Sequence, residues 1–164
     1  RRQRQMCIRD RIIGVKFKNQ NLLLQSLTHK SNNPLNNNEK LEFLGDRVLG
    51  LIISKNLYKL FPNDKEGDLD KKLASLVNRK RCVEISNYLS LKDYVLVGDN
   101  KENSKIENKI LADTVESIVG ALYLDQGLDV TEKFILNYWK RFLNEKLTIY
   151  RDPKTMLQEY SLKN

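Results

Sequence analysis

The stretch NEKLEFLGDRVLG, residues 38–50, combines the pattern of a packed helix with three acidic side chains. Glu39, Glu42 and Asp46 are spaced three and four residues apart, so on a helix they lie along one face. Their apolar neighbours in the same stretch are Leu41, Phe43, Leu44, Val48 and Leu49. Because isolated buried carboxylates are costly, such acids are normally paired, protonated or bound to a metal. A solvated acidic face is the ordinary alternative, and this stretch alone leaves both interpretations open.

Composition narrows the class of protein. The chain has 164 residues, 40% of them hydrophobic, which suits one domain and perhaps part of a second. No apolar run approaches the roughly 20 residues of a membrane-spanning helix. Cys7 and Cys82 have no paired spacing, which argues against a disulfide framework or a cysteine zinc site and suits a reducing cytoplasm. The formal charge of +8 suggests a polyanionic partner such as nucleic acid, a membrane surface, or simply a soluble surface.

The first ten residues, RRQRQMCIRD, show no helical period and no turn pattern. Their codons can be read in one frame as the adaptor of a transposon-based sequencing library. We therefore expect residues 1–10 to be an adaptor scar and exclude them from the fold. Because they contain four Arg and one Asp, the remaining chain would carry a charge of +5.

The rest of the chain reads as helices separated by polar loops, and no segment alternates at period two. The Asn-rich loop NNPLNNNE ends at Asn38, a natural N-cap for a helix that runs to about Leu60. Later helices are predicted in DLDKKLASLVNRK, CVEISNYLS, KILADTVESIVGALYLDQG and DVTEKFILNYWKRFLNEKL, whereas residues 98–109 read as a mobile loop. LKDYVLVG (91–98) suits an extended segment or a last helical turn. We predict an all-α fold.

A second acidic pair lies in the otherwise apolar helix ILADTVESIVGAL (110–122), where Asp113 and Glu116 are three residues apart. Gly45 and Gly120 flank the two acidic sets, and glycine at such a position often permits close approach of another backbone. If the two helices cross with their acids facing, four or five carboxylates converge and repel one another. A divalent cation relieves that repulsion, and oxygen ligands without Cys indicate Mg²⁺ or Mn²⁺. A di-iron bundle would need Glu-x-x-His pairs, which neither helix contains.

NEKLEFLGDRVLG resembles the signature of the ribonuclease III family, in which ERLEFLGD is the most diagnostic run. The resemblance extends, in the family's order, through LLLQSLTHKS (22–31), FPNDKEGDLDKKLASLVNR (61–79), ILADTVESIVGALYLDQG (110–127) and DPKTMLQEY (152–160). It implies a homodimeric, Mg²⁺-dependent endonuclease for double-stranded RNA, in which Mn²⁺ can replace Mg²⁺. The products would carry 5′ phosphates and short 3′ overhangs. Ribosomal RNA precursors, other structured RNAs including mRNA, and a cytoplasmic location follow by analogy, with no membrane and no small-molecule cofactor.

The resemblance also implies roles for individual residues. Glu42, Asp113 and Glu116 match the metal ligands, and Asp46 and Glu116 match the residues assigned to catalysis. The further acidic residues that match are Glu39, at the rim of the site, and Glu66, in the EGDL segment. Phe43 matches an aromatic that inserts into the partner subunit, although its spacing alone suits core packing. The chain departs from the family pattern at Arg47, which we interpret as an exposed salt bridge rather than a phosphate contact, and at Ser117.

Residues 11–150 are expected to form the endonuclease domain, and residues 151–164 a linker with the truncated start of a double-stranded RNA-binding domain. Lys101, Lys105 and Lys109 are candidate phosphate contacts or part of a solvated loop. His29, Cys82 and the aromatics Tyr138, Trp139 and Phe142 are interpreted as structural. A non-catalytic relative that only binds RNA or a ribosome is the alternative, and we would expect it to lack some of the acids. A compact relative that naturally lacks the RNA-binding module is a second alternative, against which DPKTMLQEY argues.

Overall fold

The computed structural model describes residues 13–98 and 107–151, the last six by their backbone alone. The helices are α1 (Gln20–Ser26), α2 (Glu39–Leu60), α3 (Glu66–Leu76), α4 (Arg79–Tyr88), a 3₁₀ turn (Leu91–Asp93), α5 (Asn108–Gln126) and α6 (Leu128–Arg151). Across these two ranges no strand forms, and Thr28 and Leu96 make only an isolated parallel bridge. The all-α prediction is confirmed. The expected adaptor scar, the segment from residue 152 onward, Lys101 and Lys105 lie outside the described residues.

Helix α5 is the centre of the fold. It packs against α1, α2, α4 and α6. Residues buried around its whole circumference include Ile110, Leu111, Val115, Ile118, Val119 and Leu122. A helix that is apolar nearly all round belongs in a core, so its acids Asp113 and Glu116 must emerge at a packed surface. Gly127, with φ +80°, ends α5 and lets the chain reverse directly into α6.

The boundaries of α2 follow from local chemistry. Asn38 occupies the N-cap position, but its side chain makes no capping hydrogen bond. Instead, the Asn37 Oδ1 accepts the Glu39 backbone N–H at 3.0 Å, so the expected capping role passes to the preceding residue. The helix ends at Leu60 because Phe61 precedes Pro62, a position where helical geometry is disfavoured.

The remaining helices enclose the core around α5. Helix α6 is amphipathic, as predicted, and Trp139 and Phe142 are fully buried, whereas Tyr138 is half-buried. The Trp139 indole N–H donates to the Leu76 carbonyl at 2.9 Å, which joins α6 to the last turn of α3. Helix α3 begins at Glu66, two residues before the predicted stretch DLDKKLASLVNRK. It ends at Leu76 rather than at Lys80, because Asn78 caps the separate helix α4. The 91–98 segment holds both predicted forms, a 3₁₀ turn followed by the bridge at Leu96. In the described ranges, no helix is both long and apolar enough to cross a membrane.

Candidate active site

Three carboxylates from two helices converge on one point. One oxygen each from Glu42 on α2 and from Asp113 and Glu116 on α5 lie within 4.8 Å of one another. Asp113 and Glu116 share a face of α5 because they are three residues apart, and the crossing of α2 brings Glu42 opposite them. All three side chains are partly buried. The predicted facing of the two acidic stripes is therefore confirmed for these residues.

The other predicted acids of α2 line the same open pocket, which has a volume of about 410 Å³. Glu39 lies toward the N-terminus of α2 and Asp46 one turn beyond Glu42, so the helix presents a continuous acidic wall. Phe43 and Arg47 complete the α2 side of the pocket. Arg47 forms an exposed salt bridge with Asp46, as the sequence analysis favoured, and its guanidinium lies 5.1 Å from the Phe43 ring centre.

The crowded carboxylates resist ionisation. Burial, followed by repulsion from Asp46, Glu42 and Asp113, raises the pKa of Glu116 to about 7. Burial and the charge of Asp113 also raise the pKa of Glu42. The pKa of Asp113 is raised by burial, although Lys109 and Arg79 oppose that shift. Carboxylates that are held close together and partly out of water provide a strong electrostatic attraction for a cation.

Basic groups stand around the rim of this acidic pocket. Lys30 donates to the Glu39 carboxylate at 2.8 Å, and that hydrogen bond lowers the pKa of Glu39. Lys109, exposed in the first turn of α5, acts electrostatically on both Glu42 and Asp113. Arg79 at the start of α4 also acts on Asp113. The sequence analysis missed Lys30 and Arg79, because neither is near the acids in the chain.

A buried thiol also contacts the site. Cys82 of α4 is fully buried, and its Sγ lies 3.8 Å from the Glu116 Oε1. Burial and the nearby Glu116 carboxylate raise the pKa of this thiol, which therefore remains an S–H donor. The interpretation of Cys82 as a small buried residue was correct but incomplete. Its place in an amphipathic helix gives no sign of a carboxylate partner 34 positions away.

One predicted site residue, Glu66, lies outside the acidic cluster. Glu66 lines a different cavity, of about 570 Å³, between α2 and α3 and outside the acidic cluster. Phe43 is 66% exposed, so the core-packing alternative for it is wrong within the single chain. His29 is hydrogen-bonded to the Ser31 hydroxyl at 2.8 Å, which agrees with a structural role.

The donor set suits a hard divalent cation. Glu42, Asp113 and Glu116 offer carboxylate oxygens at a spacing that one ion can bridge, with an open pocket on one side for water or substrate. Such a ligand set is typical of Mg²⁺ or Mn²⁺ and unsuited to structural zinc. The fit rests on the chemistry and geometry of these side chains.

Comparison with known proteins agrees with this geometry. A Ribonuclease-III-like family model matches residues 19–142, which include the whole acidic cluster. The chain belongs to the ribonuclease III family. Members of this family are endoribonucleases. This chain is 54% identical to Ribonuclease 3 of Pelagibacter ubique, and the match covers 92% of this chain and 68% of that protein. It is 41% identical to Ribonuclease 3 of Coxiella burnetii over 90% of this chain and 65% of that protein.

A solved structure shares the fold. The nuclease domain of ribonuclease III from Campylobacter jejuni superposes with a TM-score of 0.78 at 40% identity, covering 81% of this chain and 94% of that one. That structure is described as flexible in a region involved in dimer formation. The chain spans about two thirds of the length of these curated relatives.

Proposed function

We propose that this ribonuclease III chain hydrolyses phosphodiester bonds in double-stranded RNA with Mg²⁺, leaving 5′ phosphates and short 3′ overhangs. The observation that carries the proposal is the convergence of Glu42, Asp113 and Glu116 within 4.8 Å at an open pocket. A site intended only for binding RNA would gain nothing from concentrating negative charge where phosphates must approach.

Each acidic residue has a defined part in this proposal. Glu42, Asp113 and Glu116 would hold the ion, which Mn²⁺ could replace. When bound, the ion would lower the pKa of a water and neutralise charge on the phosphate. Asp46 lies near enough to Glu116 to raise the pKa of that carboxyl, and by resemblance these two residues serve the hydrolytic step. Glu39, already paired with Lys30, would contribute at the rim.

The basic rim would bind the RNA backbone on either side of the acids. Lys30 acts electrostatically on Glu39, and Lys109 and Arg79 act on Asp113. Phosphate contacts of this kind supply affinity that is independent of sequence and sensitive to salt. Lys101 and Lys105 would join Lys109 in this role.

We also propose that the chain acts as a homodimer through the exposed apolar face of α2. Phe43, Leu51 and Tyr58 are 66%, 58% and 75% exposed, and their spacing puts them on one side of the helix. The cavity beside Leu51 and Tyr58 is also lined by Leu57, Leu69 and Leu73, and it provides a concave, mostly apolar surface. A second copy would cover this face and, because Phe43 also lines the acidic pocket, would form one wall of the site.

We propose the domain organisation, the RNA substrates and the location by analogy with the ribonuclease III family. Residues 11–150 would form the endonuclease domain, and residues 151–164 would lead into a double-stranded RNA-binding domain. Ribosomal RNA precursors and structured mRNA in the cytoplasm would be the substrates. No small-molecule cofactor is required by the proposed chemistry.

The test is cleavage of long double-stranded RNA by the native sequence, with Mg²⁺ and with EDTA. Glu116→Gln keeps the shape of the side chain but removes the charge, and we expect cleavage to fall by roughly 10³-fold or more while the dimer and RNA binding persist. Glu145→Gln is the matched control, since Glu145 is exposed on α6 and pairs with Arg81 away from the site.

Two outcomes would oppose the proposal. Cleavage by Glu116→Gln at the native rate would remove the carboxylate mechanism. RNA binding without cleavage by the native sequence, in both Mg²⁺ and Mn²⁺, would support the non-catalytic RNA-binding relative instead.

A further inference from the structure

A third helix, α4, contacts the acidic cluster through the side chain of Cys82. Cys82 of α4 is fully buried, and its Sγ lies 3.8 Å from the Glu116 Oε1. A carboxylate offers only acceptors, so the thiol is the donor in this contact. Helix α4 packs along α5, so the two side chains belong to helices that are in direct contact.

The contact with Cys82 favours the ionised form of Glu116, whereas the neighbouring acids disfavour it. The acids that act on Glu116 from α2 and α5, namely Asp46, Glu42 and Asp113, all repel an ionised carboxylate. The S–H of Cys82 attracts it. A carboxylate that is repelled from one side and held from another has a preferred orientation. The residues that hold a metal ligand in this way are commonly as important for metal affinity as the ligand's own position.

We propose that Cys82 is a positioning residue, whose thiol holds the Glu116 carboxylate in the orientation that binds the divalent ion together with Glu42 and Asp113. This inference rests on the proposed function, because it assigns Cys82 to the same ion site. Helix α4 would then contribute to the ion site, although the acidic residues themselves all lie on α2 and α5. Loss of a residue that orients a metal ligand typically costs about 10–100-fold in metal affinity.

Cys82→Ala removes the donor, and Cys82→Ser retains one. The matched control is Ser86→Ala, one turn along α4, because Ser86 is fully buried but its hydroxyl has no hydrogen-bond partner among the described residues. The reference protein and all variants carry Cys7→Ser, so that Cys82, where it is kept, is the single thiol of the chain. We expect Cys82→Ala to raise the Mg²⁺ concentration for half-maximal cleavage about tenfold or more, with the KM for RNA unchanged. Cys82→Ser should recover part of the loss, and Ser86→Ala should match the native chain.

A second measurement does not depend on activity or on the folding of a Cys82 variant. The S–H stretching band of Cys82, recorded by infrared spectroscopy on the Cys7→Ser protein, reports hydrogen bonding of the thiol. We expect the substitution Glu116→Gln to shift this band. In the protein that keeps Glu116, we expect the addition of Mg²⁺ without RNA to shift the band as well. A band that neither change moves, or Mg²⁺ dependence in Cys82→Ala equal to that of Ser86→Ala, would overturn the inference.

The two proposals fail in different ways. If the band responds to Mg²⁺ but the native chain cleaves no RNA, the positioning role stands and the nuclease proposal falls. If Glu116→Gln abolishes cleavage but the band and the Mg²⁺ dependence are insensitive to Cys82, the nuclease proposal stands and this inference falls.

Discussion

Gly45 and Gly120 face each other where α2 crosses α5, and neither position has room for a side chain. A Cβ atom on Gly45 would lie 1.7 Å from the carbonyl oxygen of Glu116 and 2.8 Å from the Gly120 nitrogen. A Cβ atom on Gly120 would lie 2.2 Å from the carbonyl oxygen of Leu41. The two backbones are therefore in direct contact. Gly45 directly precedes Asp46 in the chain, and Gly120 follows Glu116 by four residues. The close approach of the two helices at these glycines sets the distance between their acidic faces.

Substitution of either crossing glycine should damage both stability and the ion site. We expect Gly45→Ala or Gly120→Ala to lower the free energy of unfolding by about 1–3 kcal/mol or more, because backbone rather than a flexible side chain must give way. Urea unfolding measures this loss. In the protein that remains folded, the Mg²⁺ concentration for half-maximal cleavage should rise, since the helices are forced apart.

Gly50 provides the control on the same helix. A Cβ atom there would meet nothing within 4 Å in the part of the chain that the structure describes. Gly50→Ala should therefore stabilise α2, by about 0.5–1 kcal/mol, because alanine is the better helix former. Equal destabilisation by all three substitutions would show that helix propensity or general packing, rather than the crossing, governs the effect.

The pKa of Glu116 predicts an unusual pH dependence of stability without metal. The pKa is raised from 4.5 to about 7 in the folded protein, so the folded state holds a proton that the unfolded state releases. The contribution of this group is complete at about pH 4.5 and is lost as the pH rises to about 7, so it makes the metal-free protein less stable with increasing pH. The melting temperature in EDTA, measured at several pH values, checks this slope.

Magnesium should reverse that trend. Because the ion binds the ionised carboxylates, the rise in melting temperature on adding Mg²⁺ should be larger at about pH 8 than at about pH 5.5. Glu116→Gln is the control and should reduce the slope in EDTA. What remains are contributions of the same sign from Glu42 and Asp113, whose pKa values are also raised, and the opposite contribution of Glu39, whose pKa is lowered. A slope that persists unchanged in Glu116→Gln would contradict the assignment.

Phe43 should anchor the proposed dimer. Its ring is 66% exposed beside the acidic pocket, and large aromatic side chains often dominate interface energies. We expect Phe43→Ala to weaken dimerisation by about 2 kcal/mol, which is roughly a 30-fold rise in Kd. Sedimentation velocity over a range of concentrations measures it.

Tyr88 is the control for exposure alone. It is 69% exposed on α4, where it packs edge-on against Tyr138. Tyr88→Ala should leave the dimer Kd unchanged. A native chain that stays monomeric at every concentration tested, or equal weakening by both substitutions, would argue against the α2 face as the interface.

The Trp139 hydrogen bond should contribute to stability more than a comparable bond near the surface. Trp139→Phe leaves the Leu76 carbonyl at the end of α3 without its donor and opens a small cavity in the core. We expect a loss of about 1–3 kcal/mol in the free energy of unfolding. Tyr138→Phe also removes one hydrogen bond, to the Ile13 carbonyl at 3.0 Å, but at a half-buried site, and should cost less. Urea midpoints at constant slope compare the two.

Several features of the fold had no signal in the local pattern. Helix α1 has only seven residues, too few for a clear helical period, and forms because Asn19 caps it and α5 covers it. Asp125 accepts hydrogen bonds from the backbone N–H groups of Lys18 and Asn19, at 2.8 and 2.7 Å, across more than 100 residues. Such contacts depend on the path of the whole chain, so spacing along the sequence cannot predict them.

The amino-acid sequence by itself determined the longer helices and which acids share a face of each, because helical period, turn residues and glycine positions act over a few residues. It also indicated that Gly45 and Gly120 allow a close crossing. Only the tertiary structure decided that Glu42 meets Asp113 and Glu116 while Glu66 lines another cavity, and that Lys30 and Cys82 reach the site. These contacts depend on the distances and angles at which the helices pack. Those distances and angles are set by how side chains distant in sequence pack together in the core.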